Sequence, residues 1–176
     1  MSILKLGPVR QVGYVVDDIE KSMREWVKIG VGPWFYTAKA PLEGFKYMGK
    51  PSDIQLAGAL TNSGYMQIEL IQQLNDAPSL YRDYPQKAGG GIHHISHWMD
   101  TERYDTAYKE LLSLGFYVGH EGAIGPNGRF AYFLNDRIPG SILEISETSG
   151  FKGEYFKLIA DVCANWDGSD PIRRFD

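Results

Sequence analysis

The chain repeats one pattern of secondary structure twice, and this repeat constrains its fold more than any other feature. Residues 9–35 (VRQVGYVVDDIEKSMREWVKIGVGPWF) have the pattern of a strand, an acidic turn, an amphipathic helix and a glycine stop. Residues 92–118 (IHHISHWMDTERYDTAYKELLSLGFYV) follow the same order, with apolar residues at helical spacing in the second half. For the first helix we expect a capping box of Asp17 and Glu20 and an end at Gly30.

Further strands close each repeat. In the first repeat, strand-like residues 54–60 and 65–72 flank an Asn-Ser-Gly turn. In the second, residues 129–134 and 141–147 follow turns that contain Asn-Gly and Pro-Gly. The last strands also match in sequence, because QIELI in the first repeat corresponds to ILEIS in the second.

The repeated pattern predicts the fold class and the organisation of the chain. Two βαβββ units, residues 8–74 and 90–147, are expected to form one α+β domain over residues 1–148. Residues 77–87 are predicted to be a helical linker, and residues 149–176 a C-terminal helical tail that packs on the domain or on a partner subunit. With 176 residues, the chain is long enough to bury a core without disulfides.

Charge and cysteine content exclude several classes of function. The formal net charge of -4 at pH 7 argues against binding of nucleic acid or of an anionic membrane surface. Cys163 is the one cysteine, which rules out an internal disulfide and a cysteine-based zinc cluster. No apolar run approaches the ~18 residues of a membrane span, and a signal-peptide pattern is lacking, so we expect a cytoplasmic protein. Any metal must be bound by histidine, carboxylate or amide groups.

Three of the four histidines lie within five residues, in the stretch GGGIHHISHWMD at residues 89–100. Side chains alternate between the two faces of a β-strand, so His94 is expected on one face and His93 and His97 on the other. A single strand therefore cannot supply three ligands to one ion. The further ligands of any metal bound by His94 must come from other strands.

When the two repeats are aligned, Gln11 matches His94 and Glu69 matches Glu144. Each glutamate lies between apolar neighbours, and a buried carboxylate has to be neutral, paired or bound to a metal. Taken alone, a strand glutamate more often faces solvent, and a strand histidine is more often a hydrogen-bonded structural residue. The appearance of all four residues at equivalent positions favours a shared metal site.

The ordered segments RQVGYVV, MQIELI, GIHHISHW and SILEIS resemble those of the vicinal oxygen chelate superfamily. This superfamily includes glyoxalases, methylmalonyl-CoA epimerases, extradiol dioxygenases and antibiotic-resistance proteins, and the resemblance covers about residues 8–148. It implies an open, incomplete mixed β-barrel flanked by helices, built around one metal ion. A homodimer is also expected from the resemblance.

The resemblance also implies which residues bind the metal. Members that bind one supply a ligand from each equivalent strand, here Gln11, Glu69, His94 and Glu144. This set resembles that of glyoxalase and, slightly less closely, that of the epimerase. It differs from the two histidines and one glutamate of the dioxygenases. The ion is expected to be Zn²⁺, Ni²⁺, Co²⁺, Mn²⁺ or Fe²⁺, among which the ligand set does not choose.

By resemblance to glyoxalase, the expected reaction is proton transfer α to a carbonyl, through an enediolate that the metal holds. The substrate would be a small carbonyl compound or thioester, with Glu144 as the first choice of base and Glu69 as the second. An acyl-CoA epimerase is the alternative enzyme. It is weakened because Asp53 alone stands where epimerases carry an extra glutamate. A non-catalytic protein that sequesters a small molecule is the alternative from another class.

Substrate contacts are predicted at three further residues. Trp98 shares the face of His94 on the strand, Tyr132 lies on the neighbouring hairpin strand, and Arg129 could grip an anionic group. The first two could equally be core residues, and an arginine near a loop is usually solvated. The long segment 37–53 could act as a lid over the site or be an ordinary surface loop.

Overall fold

The computed structural model describes residues 4–83, 90–138 and 142–175. None of the helices in these residues is long and apolar enough to cross a membrane. In chain order, the elements are β1 (Val9–Val16), α1 (Ile19–Lys28), β2 (Trp34–Thr37), β3 (Glu43–Tyr47), β4 (Lys50–Pro51), β5 (Leu56–Ser63), β6 (Met66–Gln73), α2 (Leu80–Asp83), β7 (Gly90–Met99), α3 (Thr101–Ser113), β8 (Tyr117–Ala123), β9 (Arg129–Leu134), β10 (Ile142–Glu147), α4 (Phe151–Ala164) and β11 (Ile172–Arg174).

All the strands of the described residues form one mixed sheet, in the order β11-β2-β5-β6-β1-β7-β10-β9-β8-β3-β4. The sheet stays open, because its two outermost strands, β11 and β4, pair with different neighbours and not with each other. The predicted α+β class and the open, incomplete barrel are thereby confirmed.

The order of the strands shows the predicted repeat directly. On one side of the centre the order is β1-β6-β5-β2, and on the other side it is β7-β10-β9-β8, with β1 and β7 antiparallel in the middle. In the first repeat Gly13 pairs with Glu69, and in the second Ser96 pairs with Glu144. Glu69 and Glu144 thus occupy equivalent places in the two halves, as superposition of the two sequence repeats predicts.

Helix α1 begins one residue later than the sequence pattern suggests. Its N-cap is Asp18, whose carboxylate accepts a hydrogen bond of 2.9 Å from the backbone N–H of Lys21. Asp17 is therefore not the capping residue; its carbonyl accepts a hydrogen bond from the side chain of Gln72. The predicted end of the helix is confirmed, since Gly30 has the positive φ of +83° that stops a helix there.

Residues 37–53 connect the two halves of the sheet, which differs from the lid or loop expected. They contain the short hairpin β3–β4, and β3 pairs with β8 of the second repeat. An ion pair of 2.9 Å between Lys46 and Glu121 joins the same two strands. Strand pairing therefore ties this segment down, and the part before the hairpin, with Ala40 and Leu42, packs towards the centre of the sheet.

The tail packs on its own domain and contains one more strand than predicted. Helix α4 packs on β5, where Ile159 is fully buried and the Cys163 thiol lies 3.4 Å from the hydroxyl of Thr61. Beyond the helix, β11 adds to β2 in parallel. Of the predicted linker helix, residues 77–87, the structure shows the short helix α2, while residues 77–79 are not helical and residues 84–87 lie outside the described residues.

Candidate functional site

A β-bulge in β7 places two histidines on the same side of the sheet. Gly13 of β1 pairs with His94 and Tyr14 pairs with Ile92, so that His93 is an extra residue in the ladder. Both imidazole rings consequently face Tyr132, with centroid distances of 4.6 Å for His94 and 6.1 Å for His93. The expectation that His93 points away from His94 was wrong, because strict alternation of side chains fails at a bulge.

The ring of His94 lies directly over the backbone of β1. A Cβ atom on Gly13 would stand 1.9 Å from Cε1 of His94, which is far inside contact distance. Glycine is therefore required at position 13 by the neighbouring histidine. His97, in contrast, donates from its Nδ1–H to the carbonyl of Gly7 at 2.9 Å and has a structural role in β7.

His94 lies between the two predicted glutamates. Its Nε2 is 3.3 Å from one carboxylate oxygen of Glu69 and 3.3 Å from one of Glu144. Burial opposes the charged imidazole, but the interactions with Glu144 and Glu69 outweigh it and raise the pKa of His94 to about 9. In this form of the protein, an imidazolium ion thus joins two carboxylates from different repeats.

His93 holds the other side of the His94 ring. Their two Nδ1 atoms are 3.3 Å apart, and Nε2 of His93 is 3.3 Å from the carbonyl of Leu80. Burial and the neighbouring charge of His94 lower the pKa of His93 to about 3, so this ring is neutral. Its Nε2–H therefore donates to Leu80, its Nδ1 accepts from Nδ1–H of His94, and Nε2 of His94 faces the glutamates.

His120, which the sequence interpretation did not use, anchors the same linker residue. Its Nε2 accepts a 2.6 Å hydrogen bond from the backbone N–H of Leu80, and burial lowers the pKa of His120 to about 2. Both backbone polar groups of Leu80 are thus held by neutral histidines. The linker helix α2 is in this way fixed against the back of the site.

Gln11 is buried and bonded through its nitrogen. Its Nε2 donates a 2.8 Å hydrogen bond to Oε1 of Gln67, the residue paired with it on β6. This bond leaves the amide oxygen of Gln11 directed to the other side. Gln11 lines the same cavity as both glutamates, so three of the four predicted ligands face one space, and His94 lies in contact with two of them.

This space, which we name the inner chamber, has a volume of about 70 Å³. It is large enough for a few water molecules or for the polar end of a small ligand. Its polar wall consists of Gln11, Glu69, Tyr81, Tyr132, Glu144, Ser146 and Lys152, and its apolar wall includes Leu56, Ile71, Phe130 and Phe156. The chamber lies between the centre of the sheet and the first turn of α4.

Lys152 is a site residue that sequence reasoning missed. It is 4% exposed, and its ammonium group donates to the carbonyls of Gly128 and Arg129 and to the hydroxyl of Ser146, at 2.9, 3.0 and 2.9 Å. Burial lowers its pKa to about 8, although the nearby Glu144 and Glu69 favour the charged form. A lysine just before an apolar helical pattern was a signal, but only the packing of α4 shows where it points.

The three predicted substrate residues have different locations. Tyr132 lines the inner chamber, and its hydroxyl lies 3.4 Å from Nε2 of His94 and accepts from Tyr81 at 3.1 Å. Trp98 lies behind the chamber wall, with its ring 4.7 Å from that of Phe156, and does not line the chamber. Both tyrosine hydroxyls are buried, and burial raises their pKa values well above the usual 10.

Arg129 is outside the chamber, contrary to expectation. Its guanidinium pairs with Glu147 at 2.7 Å and with Asp105 at 2.8 Å, and it lies 4.4 Å above the ring of Tyr104. These partners use its hydrogen-bond donors on the α3 side of the sheet. Asp53 is likewise exposed and does not line the chamber.

Comparison with known proteins identifies the family. A model of the Glyoxalase/Bleomycin resistance protein/Dioxygenase superfamily matches residues 10–133. The chain belongs to this superfamily. The match covers both central strands, β1 and β7, and with them Gln11, Glu69 and His94. No curated protein matches the chain significantly in sequence.

Solved structures of other proteins share the fold. Methylmalonyl-CoA epimerase from Mycobacterium tuberculosis is 19% identical with a TM-score of 0.53, covering 79% of this chain and 86% of that one. A hypothetical protein from Bacillus halodurans C-125 is 19% identical with a TM-score of 0.54, covering 80% and 93%. A variant of Streptomyces coelicolor methylmalonyl-CoA epimerase in complex with 2-nitronate-propionyl-CoA is 16% identical with a TM-score of 0.51, covering 81% and 94%. At these identities the likeness shows the fold.

Whether this superfamily member can hold a metal depends on its own residues. Within residues 4–83, 90–138 and 142–175, no three His, Cys, Asp or Glu side chains are arranged as a ready-made metal group. The imidazole and both carboxylates instead form an ion pair. Metal–ligand bonds of about 2.1 Å place neighbouring ligand atoms about 3.0–3.4 Å apart, and the two 3.3 Å separations match this spacing.

Two buried atoms also fit a metal. Oε2 of Glu144 is buried and makes no well-aligned hydrogen bond with any described residue. The amide oxygen of Gln11 is directed away from the bond to Gln67. Loss of one proton from His94 would make its Nε2 available as a third metal ligand, and a carboxylate oxygen of Glu69 would be the fourth. The donor set and its spacing therefore fit a divalent ion after small side-chain movements.

Proposed function

We propose that this protein is a metal-dependent, glyoxalase-like lyase or isomerase that transfers a proton α to a carbonyl group of a small molecule. The observation that carries the proposal is the position of His94, whose Nε2 is 3.3 Å from a carboxylate oxygen of both Glu69 and Glu144. The three residues come from different strands and lie beside a chamber that Gln11 also lines. Such a convergence is costly to desolvate, because His94 and Glu144 are buried and Glu69 is partly buried.

Gln11, Glu69, His94 and Glu144 would hold one divalent ion of the Zn²⁺, Ni²⁺, Co²⁺, Mn²⁺ or Fe²⁺ class. When bound, the ion would supply Lewis-acid stabilisation of two adjacent substrate oxygens and so acidify the C–H bond beside them. The two carboxylates balance its charge, and His93 keeps the imidazole in the tautomer with a free Nε2. The arrangement of His93 against Leu80 supports this orientation.

Glu144 is proposed as the base that takes the proton from carbon. It lines the inner chamber, its side chain is 7% exposed, and its Oε2 has no competing hydrogen bond of good geometry in the described chain. Glu69 lines the chamber from the opposite repeat and is the second choice. Placed on either side of the substrate carbon, one carboxylate can remove a proton while the other carboxyl group returns it.

The walls of the chamber exclude water and orient the substrate. Tyr132 and Tyr81 stay protonated, because burial raises the pKa of both hydroxyls, and Tyr132 can donate to a substrate oxygen beside His94. Lys152, which lines the chamber from α4, contributes positive charge near Glu144. Preorganised donors of this kind stabilise negative charge that develops on oxygen in the transition state.

An acyl-CoA epimerase is the second candidate of the same chemistry. The fold shared with methylmalonyl-CoA epimerases favours it, because those proteins act on a CoA thioester by their printed names. Against it stands the position of Asp53, which is exposed and outside the chamber. A non-catalytic binding protein is the candidate of another class, supported by the ion pair that His94 forms with both glutamates.

Metal content tests the enzyme proposal. Protein purified without chelators is analysed by elemental mass spectrometry beside a Glu69→Ala/Glu144→Ala variant. The matched control is Glu25→Ala/Glu154→Ala, which removes the same charge from exposed helix positions. About one divalent ion per chain, present in the control and lost in the site variant, is expected. No ion after incubation with Zn²⁺, Ni²⁺, Co²⁺ and Mn²⁺ would leave the binding-protein alternative.

Isotope exchange then tests the reaction class. The metal-loaded protein is incubated in D₂O with α-oxo hemithioacetals and with acyl-CoA thioesters, and the α-carbon is examined by NMR. Proton transfer introduces solvent deuterium there, without consumption of O₂. Exchange with the acyl-CoA alone would favour the epimerase, and O₂ consumption without exchange would contradict both.

A further inference from the structure

A second, larger cavity adjoins the inner chamber. This outer groove has a volume of about 490 Å³ and shares Gly58, Glu69, Lys152 and Phe156 with the wall of the inner chamber. The two cavities therefore adjoin, and Glu69 belongs to the walls of both. A volume of this size is typical of a site that holds the body of a small ligand.

The tail builds the aromatic wall of the outer groove. Helix α4 contributes Phe151 and Tyr155, which are stacked at 6.0 Å with an angle of 7° between their rings. Phe175, after β11, lies 4.6 Å from Tyr155. Its backbone is fixed, because its N–H donates to the carbonyl of Tyr36 and its own carbonyl accepts from Thr37.

The three aromatic rings form a surface that has no covering side chain over much of its area. Phe151 is 56% exposed and Phe175 is 46% exposed, although each stands next to other rings. All three residues lie beyond residues 10–133, the part that the superfamily model matches. Exposure of rigid aromatic faces to water is unfavourable, so an apolar ligand that covers them gains binding free energy.

One polar atom of this wall also lacks a partner. The hydroxyl of Tyr155 is buried and forms no hydrogen bond with any residue that the structure describes. Burial raises its pKa to about 12, so it remains a donor at neutral pH. Buried hydroxyls are rarely left unsatisfied in folded proteins, so this donor is an unused polar group of the aromatic wall.

The charges of the groove limit the kind of ligand. Its charged lining residues are Lys39, Lys152 and Glu69, of which Lys152 already donates to three acceptors within the protein. Lys39 is thus the one exposed cation of the described lining. A body with several phosphates would need more cations than this, whereas a flat, uncharged body matches the aromatic wall.

We infer that the outer groove binds the aromatic body of the substrate, and that the substrate class is an aryl compound whose two adjacent oxygens enter the inner chamber. The position of the oxygens depends on the proposed function, but recognition of the ring depends on Phe151, Tyr155 and Phe175 alone. An inner chamber of about 70 Å³ admits only the polar head, so that the ring has to lie in the groove. Rings stack on aromatic side chains with offset or edge-on geometry.

Three hydroxamates with the same chelating head test the inference. Acetohydroxamate, benzohydroxamate and 2-naphthohydroxamate are titrated into the metal-loaded protein by calorimetry. Each added ring is expected to tighten binding by about tenfold or more, as burial of its apolar area predicts. In a Phe151→Ala/Phe175→Ala variant, the gain in affinity from each ring should fall below about threefold. The affinity for acetohydroxamate, which has no ring, should not change.

The variant is expected to fold, because both side chains are half-exposed, and its thermal unfolding is compared with that of the wild type. Tyr65→Ala is the matched control, since Tyr65 is an aromatic residue that is 93% exposed on the hairpin between β5 and β6. The control should retain the full increase per ring. Equal affinities for the three hydroxamates in the wild type, or an undiminished increase in the variant, would overturn the inference.

A probe without a chelating group separates this inference from the proposed function. 2-Naphthamide is titrated into metal-free wild type and into the double variant. Binding that the variant loses supports the aromatic groove, even where the hydroxamates show no dependence on metal and the proposed function fails. The opposite result would be hydroxamate binding that requires the metal, the same affinity with and without a ring, and no binding of 2-naphthamide. This result would leave the proposed function intact and contradict the aromatic substrate.

Discussion

The two repeats place a glutamate at equivalent positions but give it different surroundings. Glu144 pairs across the sheet with Tyr132, whose ring closes the inner chamber, and its side chain is 7% exposed. Glu69 pairs in the same way with Leu60, which lines the outer groove, and its side chain is 23% exposed. The repeated backbone therefore supplies two carboxylates, and one neighbour on the next strand decides which of them is enclosed.

The largest expected effect comes from making the two carboxylates unequal in charge. Glu144→Gln should lower the turnover of the proton transfer by a factor on the order of 10²–10⁴, because an amide cannot accept the proton. Glu69→Gln should weaken metal binding but reduce turnover less, if Glu144 is the base. Single-turnover deuterium exchange with saturating metal separates the two effects. A larger loss of exchange in Glu69→Gln would reverse the assignment.

Equivalent small residues should differ in their tolerance of replacement by alanine. Gly13→Ala is expected to destabilise the protein by about 1–3 kcal/mol and to displace His94, since the new Cβ would overlap its ring. Ser96→Ala, at the equivalent position, should change stability by less than about 1 kcal/mol, because its buried hydroxyl has no partner among the described residues. Denaturant unfolding of both variants measures the difference, and comparable losses would contradict the asymmetry.

His94 and Gln11 occupy equivalent positions, and only His94 titrates. Its folded-state pKa of about 9 lies above the ordinary 6.5, so its stabilising charge is fully present below about pH 6.5. This contribution to the free energy of unfolding is on the order of 1–3 kcal/mol in the metal-free protein, and it is lost as the pH rises through about 9. His94→Gln, which makes the repeats alike, should lower stability throughout and abolish this slope. Thermal melting of metal-free protein from pH 6 to 9 measures it, and an equal slope in the variant would refute the ion pair.

The smallest expected effect concerns the tyrosine that encloses the second repeat. Tyr132→Phe removes the hydroxyl near His94 and the acceptor of the Tyr81 hydrogen bond. We expect a loss of about 1 kcal/mol in stability, because the buried Tyr81 hydroxyl loses its acceptor. Leu60→Ala, at the equivalent position of the first repeat, enlarges the outer groove and should leave metal binding unchanged. Metal dissociation constants and unfolding curves of both variants test this contrast.

The repeat itself made much of the site predictable. Gln11, Glu69, His94 and Glu144 could be selected because both halves of the chain use one strand pattern, so a polar residue at the same register falls at the same point of the sheet. The pairing of Gly13 with Glu69 and of Ser96 with Glu144 follows from the same register. The roles of these residues remain predictions.

The remaining features depend on contacts that local patterns do not contain. The bulge at His93 is visible only in the pairing of β7 with β1, and the hairpin β3–β4 reveals its partner only in the folded sheet. Lys152 and Phe175 reach the site because the tail folds back on the domain, which helical periodicity alone cannot predict. The sequence did not reveal that Arg129 lies outside the chamber, because strand alternation does not show its ion pair with Glu147.

The most direct test of the proposed metal centre is anomalous diffraction from a crystal of the Zn²⁺-loaded protein. The account predicts one strong peak per chain, about 2.0–2.2 Å from Nε2 of His94 and from oxygens of Glu69, Glu144 and Gln11. The two carboxylates would then have moved from the imidazole to the ion. A peak elsewhere, or no peak between these residues while His94 still pairs with both glutamates, would contradict a metal held jointly by the two repeats.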